Sequence, residues 1–567
     1  MVNLITEHMD IWTAAQIQKA NGGRGRWKNS NGQGPHGIKK LRELILELAV
    51  RGKLVPQDPN DEPASVLLEK IAKEKKRLIE EGKMKKQKPL PEIAEKEKKF
   101  EIPQGWEFVR LGEIANLVYG KNLPTTKLTA TGFDVFGANG IIGKYTSYIY
   151  KESQVLISCR GAYSGKANMS PKKCYITNNS IVCELTKSSL NKNFLFLSLS
   201  AIDKSRIVSG SAQPQVTVAN ANPVIISVPP IAEQRRIVAK VDELMALCDQ
   251  LEQQQTDSND THRTLVETLL ATLTNAADQK EFAKAWQRIA NYFDTILTTE
   301  QSIDQLEQTI LQLAVMGKLP PQDPNDEPAS VLLEKIAKEK ARLIKEGKIK
   351  KQKPLPEIDD DEKPFDLPEG WEWARIGDAS LFTEYGMSEK TFDGIDGIPV
   401  LKMGDIQDGK VILGGQKLVQ ENVEGLPSLF LKKWDLLYNR TNSAELVGKT
   451  GIYDGSDDAY TFASYLVRIR CSEKCVHPKY LNLSMNTSLF RATQIEPHLK
   501  QQCGQANVNA TIMRNMIVPV PPIDEQHSIV AKVDELMALC DTLKARLNDA
   551  TTTQVQLADA IVERAVA

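Results

Sequence analysis

The chain has no apolar run near the ~18 residues that a membrane-spanning helix needs. Its first residues (MVNLITEHMDIWTAAQ) show no basic stretch leading into an apolar one, so a cytoplasmic protein is expected. Eight cysteines in 567 residues are too sparse for the disulfide framework of a small secreted domain, and free thiols are expected. The tightest group, Cys471, Cys475 and His477, has no fourth ligand nearby. It follows the alternating run YLVRIRC and reads as a strand end and its loop rather than a metal site. Only six histidines are present, none in an acid–base or metal spacing. An excess of one charge is missing too: the formal net charge is −1, which excludes a uniformly basic nucleic-acid binder.

Catalytic motifs are equally absent. A DNA aminomethyltransferase needs an Asn/Asp-Pro-Pro-aromatic loop, and each Pro-Pro pair (229–230, 320–321, 521–522) is followed by Ile or Gln. Gly448-Lys449-Thr450 offers the end of a phosphate-binding loop, but Ser443 stands where its first glycine belongs. Gly137, Gly140 and Gly143 have the wrong spacing for a dinucleotide loop. Catalysis by this chain is not expected.

What the sequence does contain is itself, twice. At this length three or four structural units are expected. Pro56 to Lys75 (PQDPNDEPASVLLEKIAKEK) recurs letter for letter at Pro321 to Lys340, an offset of 265, and the likeness runs through KQKPLPEI to Gly105-Trp106 and Gly370-Trp371. IVAKVDELMALCD occupies Ile237 to Asp249 and again Ile529 to Asp541, an offset of 292, each copy preceded by Pro-Pro-Ile and a Glu-Gln pair. Two matching frames thus hold two divergent inserts, roughly 105–230 and 370–522. Drift alone would not spare the frames while rewriting whole domains, so the frames do one job twice and the inserts do two jobs of one kind.

The frames read as helices. Val241, Leu244, Cys248 and Leu251 follow Ile237 at 4-3-4-3 spacing, a narrow coiled-coil seam that Ile529, Val533, Leu536, Cys540, Leu543 and Leu547 repeat. A lone seam needs a partner, and its own copy is the expected one. Glu233-Gln234 and Glu525-Gln526 are read as polar side chains for a first helical turn. Leu41, Leu44, Ile45 and Leu48 share one helical face, matched by Ile303, Leu306, Ile310 and Leu313, with Gly52 and Gly317 closing those helices. KQKPLPEI reads as an extended strap on a surface, and Lys83 to Lys88 as a solvated face.

The inserts differ in kind: short alternating runs such as SQVLISCRG and YTFASYLVRIR, bounded by Gly and Asn, predict mixed α/β domains on irregular sheets. Lys and Arg outnumber Asp and Glu thirteen to six over 105–230 but stand sixteen to seventeen over 370–522, so only the first insert is basic. The expected organisation is a partly ordered segment 1–37, frame helices 38–104, insert 105–230, a central helical spacer 231–302, frame helices 303–369, insert 370–522 and a final helix 523–567.

Two variable domains, each introduced by Gly-Trp-Glu and followed by Pro-Pro-Ile-x-Glu-Gln and a heptad helix, resemble the specificity subunit of type I restriction-modification systems, over essentially the whole chain. The resemblance implies an α+β fold. Two mixed α/β target recognition domains would be joined by long helices, paired antiparallel as a coiled-coil separator in a pseudo-twofold tandem repeat. It implies double-stranded DNA as ligand, two modification (methyltransferase) subunits docked on the frames and restriction subunits in the full complex. No catalytic residue, cofactor or metal belongs to this chain on that reading; S-adenosylmethionine, ATP and magnesium come with the partners. A duplicated scaffold that docks two copies of a partner without reading DNA is the alternative.

Major-groove readout favours Arg or Lys on guanine and Asn or Gln on adenine. On that chemistry the candidate DNA-contacting residues are Lys121, Asn122, Arg160, Asn178, Asn179, Gln213 and Gln215 in the first insert. In the second they are Lys402, Arg440, Asn442, Lys449, Gln505, Asn507 and Asn509.

Overall fold

The computed structural model describes residues 7–15, 17–18, 33–34, 36–187, 190–204, 207–210, 214–502 and 505–566. The frame helices, in chain order, are α1 (Met9–Ala14), α2 (His36–Val50), α3 (Ala64–Glu80), α4 (Ile231–Thr274), α5 (Glu300–Val315), α6 (Ala329–Lys345) and α7 (Ile523–Val566). Two compact units form. One comprises residues 1–259 and 549–567, the other 260–548.

In the first unit the apolar stripe of α2 (Ile38, Leu41, Leu44, Ile45, Leu48) is buried with Ile237, Val241, Leu244 and Cys248 of α4 and with Ala558 and Ala565 near the end of α7. Truncating one such leucine to alanine costs about 2–5 kcal/mol. In the second unit Ile303, Leu306, Ile310 and Leu313 of α5 cluster with Ile529, Val533 and Cys540 of α7 and with Val266, Leu270 and Leu273 at the end of α4. In both units the first half of one long helix meets the last part of the other, the order of an antiparallel pair. This corrects the expected seam partner. The two heptad copies lie in separate clusters, each closed by its own frame helix and the tail of the other long helix. A period of 3.5 asks only for an apolar face, and α2 and α5 offer one as good as the seam's copy.

The α2 and α5 helices end as the sequence predicts. Gly52 and Gly317 take φ of 69° and 68°, and the next amides, Lys53 and Lys318, donate to Leu48 and Leu313 carbonyls. Of residues 1–37, α1 packs on α2 with Trp12 fully buried; most of the Gly- and Asn-rich stretch lies outside the described residues.

The Glu-Gln pairs stand in the first helical turn, as the sequence reading has them, but their side chains reach beyond it. All four side chains are buried. Glu233 accepts from Trp106 Nε1 at 3.0 Å and from Gln57 at 3.1 Å, and Glu525 from Trp371 Nε1 at 2.8 Å and Gln322 at 3.2 Å. The glutamine beside each faces the other way. Gln234 accepts from the Asn191 amide and donates to Pro229; Gln526 accepts from the His477 amide and donates to Pro521 and Cys475. The straps are clasped by buried arginines: Arg110 donates to Pro91, Glu92 and Glu97, and Arg375 to Pro356, Glu357 and Glu362.

Each insert begins and ends as a pair of antiparallel strands, Glu107–Arg110 with Ile225–Val228 and Glu372–Arg375 with Ile517–Val520. Inside the first, a four-stranded sheet runs in the order Ala115–Tyr119, Ser180–Leu185, Val155–Ser158, Ala167–Met169. The second repeats its first three places as Phe382–Tyr385, Leu466–Arg470 and Leu436–Asn439 in a six-stranded sheet.

Asn191 and His477 hold equivalent places at the start of a short helix on each frame; Asn191 caps its helix through the Asn193 and Phe194 amides, whereas the His477 side chain caps nothing. Burial, then the neighbouring His527 and Lys479, push the His477 imidazole down from 6.5 to about 4. A base held below its unfolded value stabilises the fold above pH 6.5, and that contribution is lost as pH falls from 6.5 toward 4. His477→Asn is expected to remove this loss and to add a cap worth about 1 kcal/mol, read as urea midpoints of the two proteins at pH 7 and pH 5. Parallel pH dependence of wild type and variant would refute the assignment.

Candidate nucleic-acid interface

A common hub underlies both inserts despite their divergence. Gly120 and Gly386 follow exposed tyrosines, Tyr119 and Tyr385, and a Cβ at either glycine would lie 2.3 Å from the Thr177 carbonyl or 2.2 Å from that of Phe462. Only glycine permits that approach. The next amide, of Lys121 or Met387, donates to the Ile176 or Phe462 carbonyl at 2.9 Å. Across the turn, Cys159 N donates to Asn179 O at 3.0 Å, and Arg440 N to Tyr465 O at 3.1 Å. On the far side Val216 N donates to Cys159 O at 3.0 Å and Val508 N to Arg440 O at 2.9 Å. Thr217 and Asn509 then cap one-turn helices whose first amides donate to the hydroxyls of Tyr119 and Tyr385.

This bond pattern sets the two inserts in register. Lys121 stands where Met387 does, Asn178-Asn179 where Ser464-Tyr465 do, Arg160 where Thr441 does and Gln215 where Asn507 does. The backbone is conserved while its side chains are replaced, as expected of two readers of different sequences on one mount.

Most first-insert candidates lie together on this hub. Lys121 bridges to Thr177, Asn178 and Asn179 form the turn that Cys159 contacts, and Arg160 bridges to Gln215. Lys121, Asn122, Arg160 and Gln215 are exposed. Tyr163, 57% exposed in the turn after Arg160, carries the Lys166 ammonium 5.6 Å over its ring. Gln213 lies outside the described residues.

In the second insert Asn442 and Asn507 sit on a small sheet formed by Thr441–Asn442, Gln505–Asn507 and Lys500–Gln502, and Gln505 pairs with Gln502 there. Arg440 lies beside them, its guanidinium 5.1 Å over the Tyr385 ring and donating to Ser464 O at 2.7 Å. Lys402 follows Leu401, whose carbonyl takes the Ala463 amide, but its ammonium is bound to Thr391 Oγ1 at 2.8 Å. Lys449 is half-buried, its carbonyl accepting from Asn439. The Asn509 side chain is spent on the Ile512 amide at 2.9 Å as a helix cap. Sequence reasoning missed the two tyrosines and Tyr465. The repeated Tyr-Gly dipeptide, at 119–120 and 385–386, was the available signal for the first two.

A pair of homologous backbone hubs with unlike polar rims, mounted on repeated helical frames, defines a duplicated recognition protein. The chain belongs to the type I restriction-modification DNA specificity family, whose domain model matches residues 103–258 and 368–552. It is 38% identical to the specificity subunit of the type I restriction enzyme EcoEI and 39% identical to that of EcoAI, both from Escherichia coli, over 99% of this chain and of each relative. A solved specificity subunit from Thermoanaerobacter tengcongensis is similar at 17% identity over 83% of this chain and 98% of that one, with a TM-score of 0.39. Family membership makes DNA sequence recognition the function of the chain and sets aside the scaffold that reads no DNA.

The two arginines should separate in experiment. Arg160→Ala, at an exposed side chain, is expected to leave the urea midpoint unchanged within about 0.5 kcal/mol. It should weaken DNA binding by about 1–3 kcal/mol at one base position if the guanidinium is bidentate to guanine. Arg440→Ala removes the Tyr385 stack and the Ser464 bond and is expected to lower the midpoint of the second unit as well. Fluorescence-anisotropy titrations beside urea melts decide it; a stability loss in Arg160→Ala would return that residue to a structural role.

Proposed function

We propose that each insert reads one half of a bipartite, asymmetric DNA site, while the two frames each dock one modification subunit. The observation that carries this reading is the hub: the same backbone bonds recur in both inserts with different side chains at each corresponding place. Two unlike readers suit a site of two unlike halves. The frames argue for identical partners, because their exposed faces are repeated down to their ion pairs, Lys70–Glu62 at 2.8 Å in one and Lys335–Glu327 at 2.6 Å in the other.

On this reading the chain performs no chemistry. Methyl transfer from S-adenosylmethionine belongs to the modification subunits, and ATP- and magnesium-dependent cleavage to the restriction subunits, all acting in the cytoplasm. Burial pushes the Cys159 thiol up to about 11, far from a reactive thiolate.

Exchanging residues 105–230 for the matching insert of a relative, then mapping methylated adenines in cells that carry the modification subunit, is expected to change one half of the target and leave the other. The paired strands at its two ends make the insert separable. A change in both halves would overturn the assignment of one half-site to each insert.

A further inference from the structure

The repeated frames pose a sorting problem. Ile38, Leu41, Ile45 and Leu48 of α2 match Ile303, Leu306, Ile310 and Leu313 of α5, and the seam of α4 matches that of α7 letter for letter from Ile237 to Asp249. Apart from Leu44, whose counterpart is Thr309, the apolar faces are therefore alike in the right pairing, α2 on the α4 seam and α5 on the α7 seam, and in the exchanged one. The locks do not distinguish the two, since Glu233 and Glu525 offer the same bonds. Among the tail contacts, Lys40 meets Asp559 at 3.5 Å, and at the matching place Gln305 meets Glu267 at 3.0 Å, a pair that accepts either partner.

One contact does differ, by inversion. Arg42 of α2 binds Asp249 at 2.7 Å and Glu252 at 3.0 Å on α4. The residue 265 places after Arg42 is Glu307, and the residue 292 places after Glu252 is Lys544. These two also bind, at 2.8 Å, and Lys544 takes Asp304 at 2.7 Å as well. Cation and anion have changed helices. In the exchanged pairing Glu307 would face Asp249 and Glu252, carboxylates with no cation among them, and Arg42 would meet Lys544 while keeping only Asp541.

The exchanged pairing is also the one that chain connectivity favours. Only 47 residues lie between Glu252 and Glu300, whereas 213 lie between Val315 and Ile529. Closing the shorter loop costs less entropy, so α5 reaches the wrong seam before the right one. We infer that the inverted charges are a sorting device that keeps α5 off the α4 seam, leaving that seam open for α2 and reserving α5 for α7. Like charges at contact oppose the local pairing, and the native pairs reward the distant one.

The test keeps every native pair while erasing the rule. In the full chain, Asp304→Lys, Glu307→Arg and Lys544→Glu give the second clasp the polarity of the first, so α5 is attracted to Asp249 and Glu252. A second variant adds Arg42→Glu, Asp249→Lys and Glu252→Lys, which restores repulsion between α5 and the α4 seam with all signs exchanged. Refolding from urea at low ionic strength is followed by tryptophan fluorescence, and monomer yield by size exclusion with light scattering. The triple variant is expected to gain a slow refolding phase and to lose at least half of the promptly formed monomer. The exchanged variant should refold as the wild type does. The defect should fade at ~1 M salt, where screening acts within ~3 Å. Equal kinetics and yield in wild type and triple variant would overturn the proposal. Should the triple variant also be less stable, the comparison with the exchanged variant decides: faster refolding of the latter supports sorting, and equal rates overturn it.

Discussion

The frame turns on a buried carboxylate at the start of each long helix. Burial pushes Glu233 and Glu525 up from the ordinary carboxylate range, while their indole and amide donors pull the other way. A carboxylate taken out of water is tolerable only with its hydrogen bonds met, so the helix can begin only where Trp106 and Gln57, or Trp371 and Gln322, already stand. The lock thereby joins the loop before the insert, the strand that opens it and the helix that leaves it. The adjacent glutamine ties the same turn to the insert's own helix. One dipeptide, Glu-Gln, holds frame and reader in a fixed relation twice over.

The inserts then have freedom that the frames lack. Arg110 and Arg375, each clasping a strap and an acidic residue, hold the edge of the frame rigid, while the hub beyond depends mainly on backbone hydrogen bonds. Backbone bonds place few demands on side-chain identity except where chains approach closely, as at Gly120 and Gly386. A surface built this way can change its donors and acceptors without refolding its support. That property suits a chain whose two inserts differ on repeated frames.

Much of this was legible in the sequence, because it is periodic or repeated. The frame helices, their glycine ends and the straps follow from local patterns, and the duplication stands out by comparison of the chain with itself. The hub was not legible as such. It is assembled from Lys121, Asn179, Arg160 and Gln215, segments tens of residues apart that carry no common local signature, so chemistry could nominate the residues but not their contact. The cap at Asn509 was not legible either: a helix-capping asparagine and a base-reading asparagine look alike until its amide partner is seen. The seam was assigned the wrong partner because heptad spacing reports an apolar face and says nothing of which face will meet it.

The paired strands that open and close each insert have a consequence for how such proteins diversify. With Arg110 opposite Ile225 and Arg375 opposite Ile517, each insert joins the frame through two neighbouring chain ends, and it packs against the frame helices besides. Between those ends the chain leaves and returns at one edge. An insert longer by some 27 residues, as the second is than the first by the change of repeat offset, can therefore close on the same pair of strands. The repeated segments on either side offer the same mount to both inserts. Changing what lies between the end strands changes the rim of the hub and leaves its point of attachment in place.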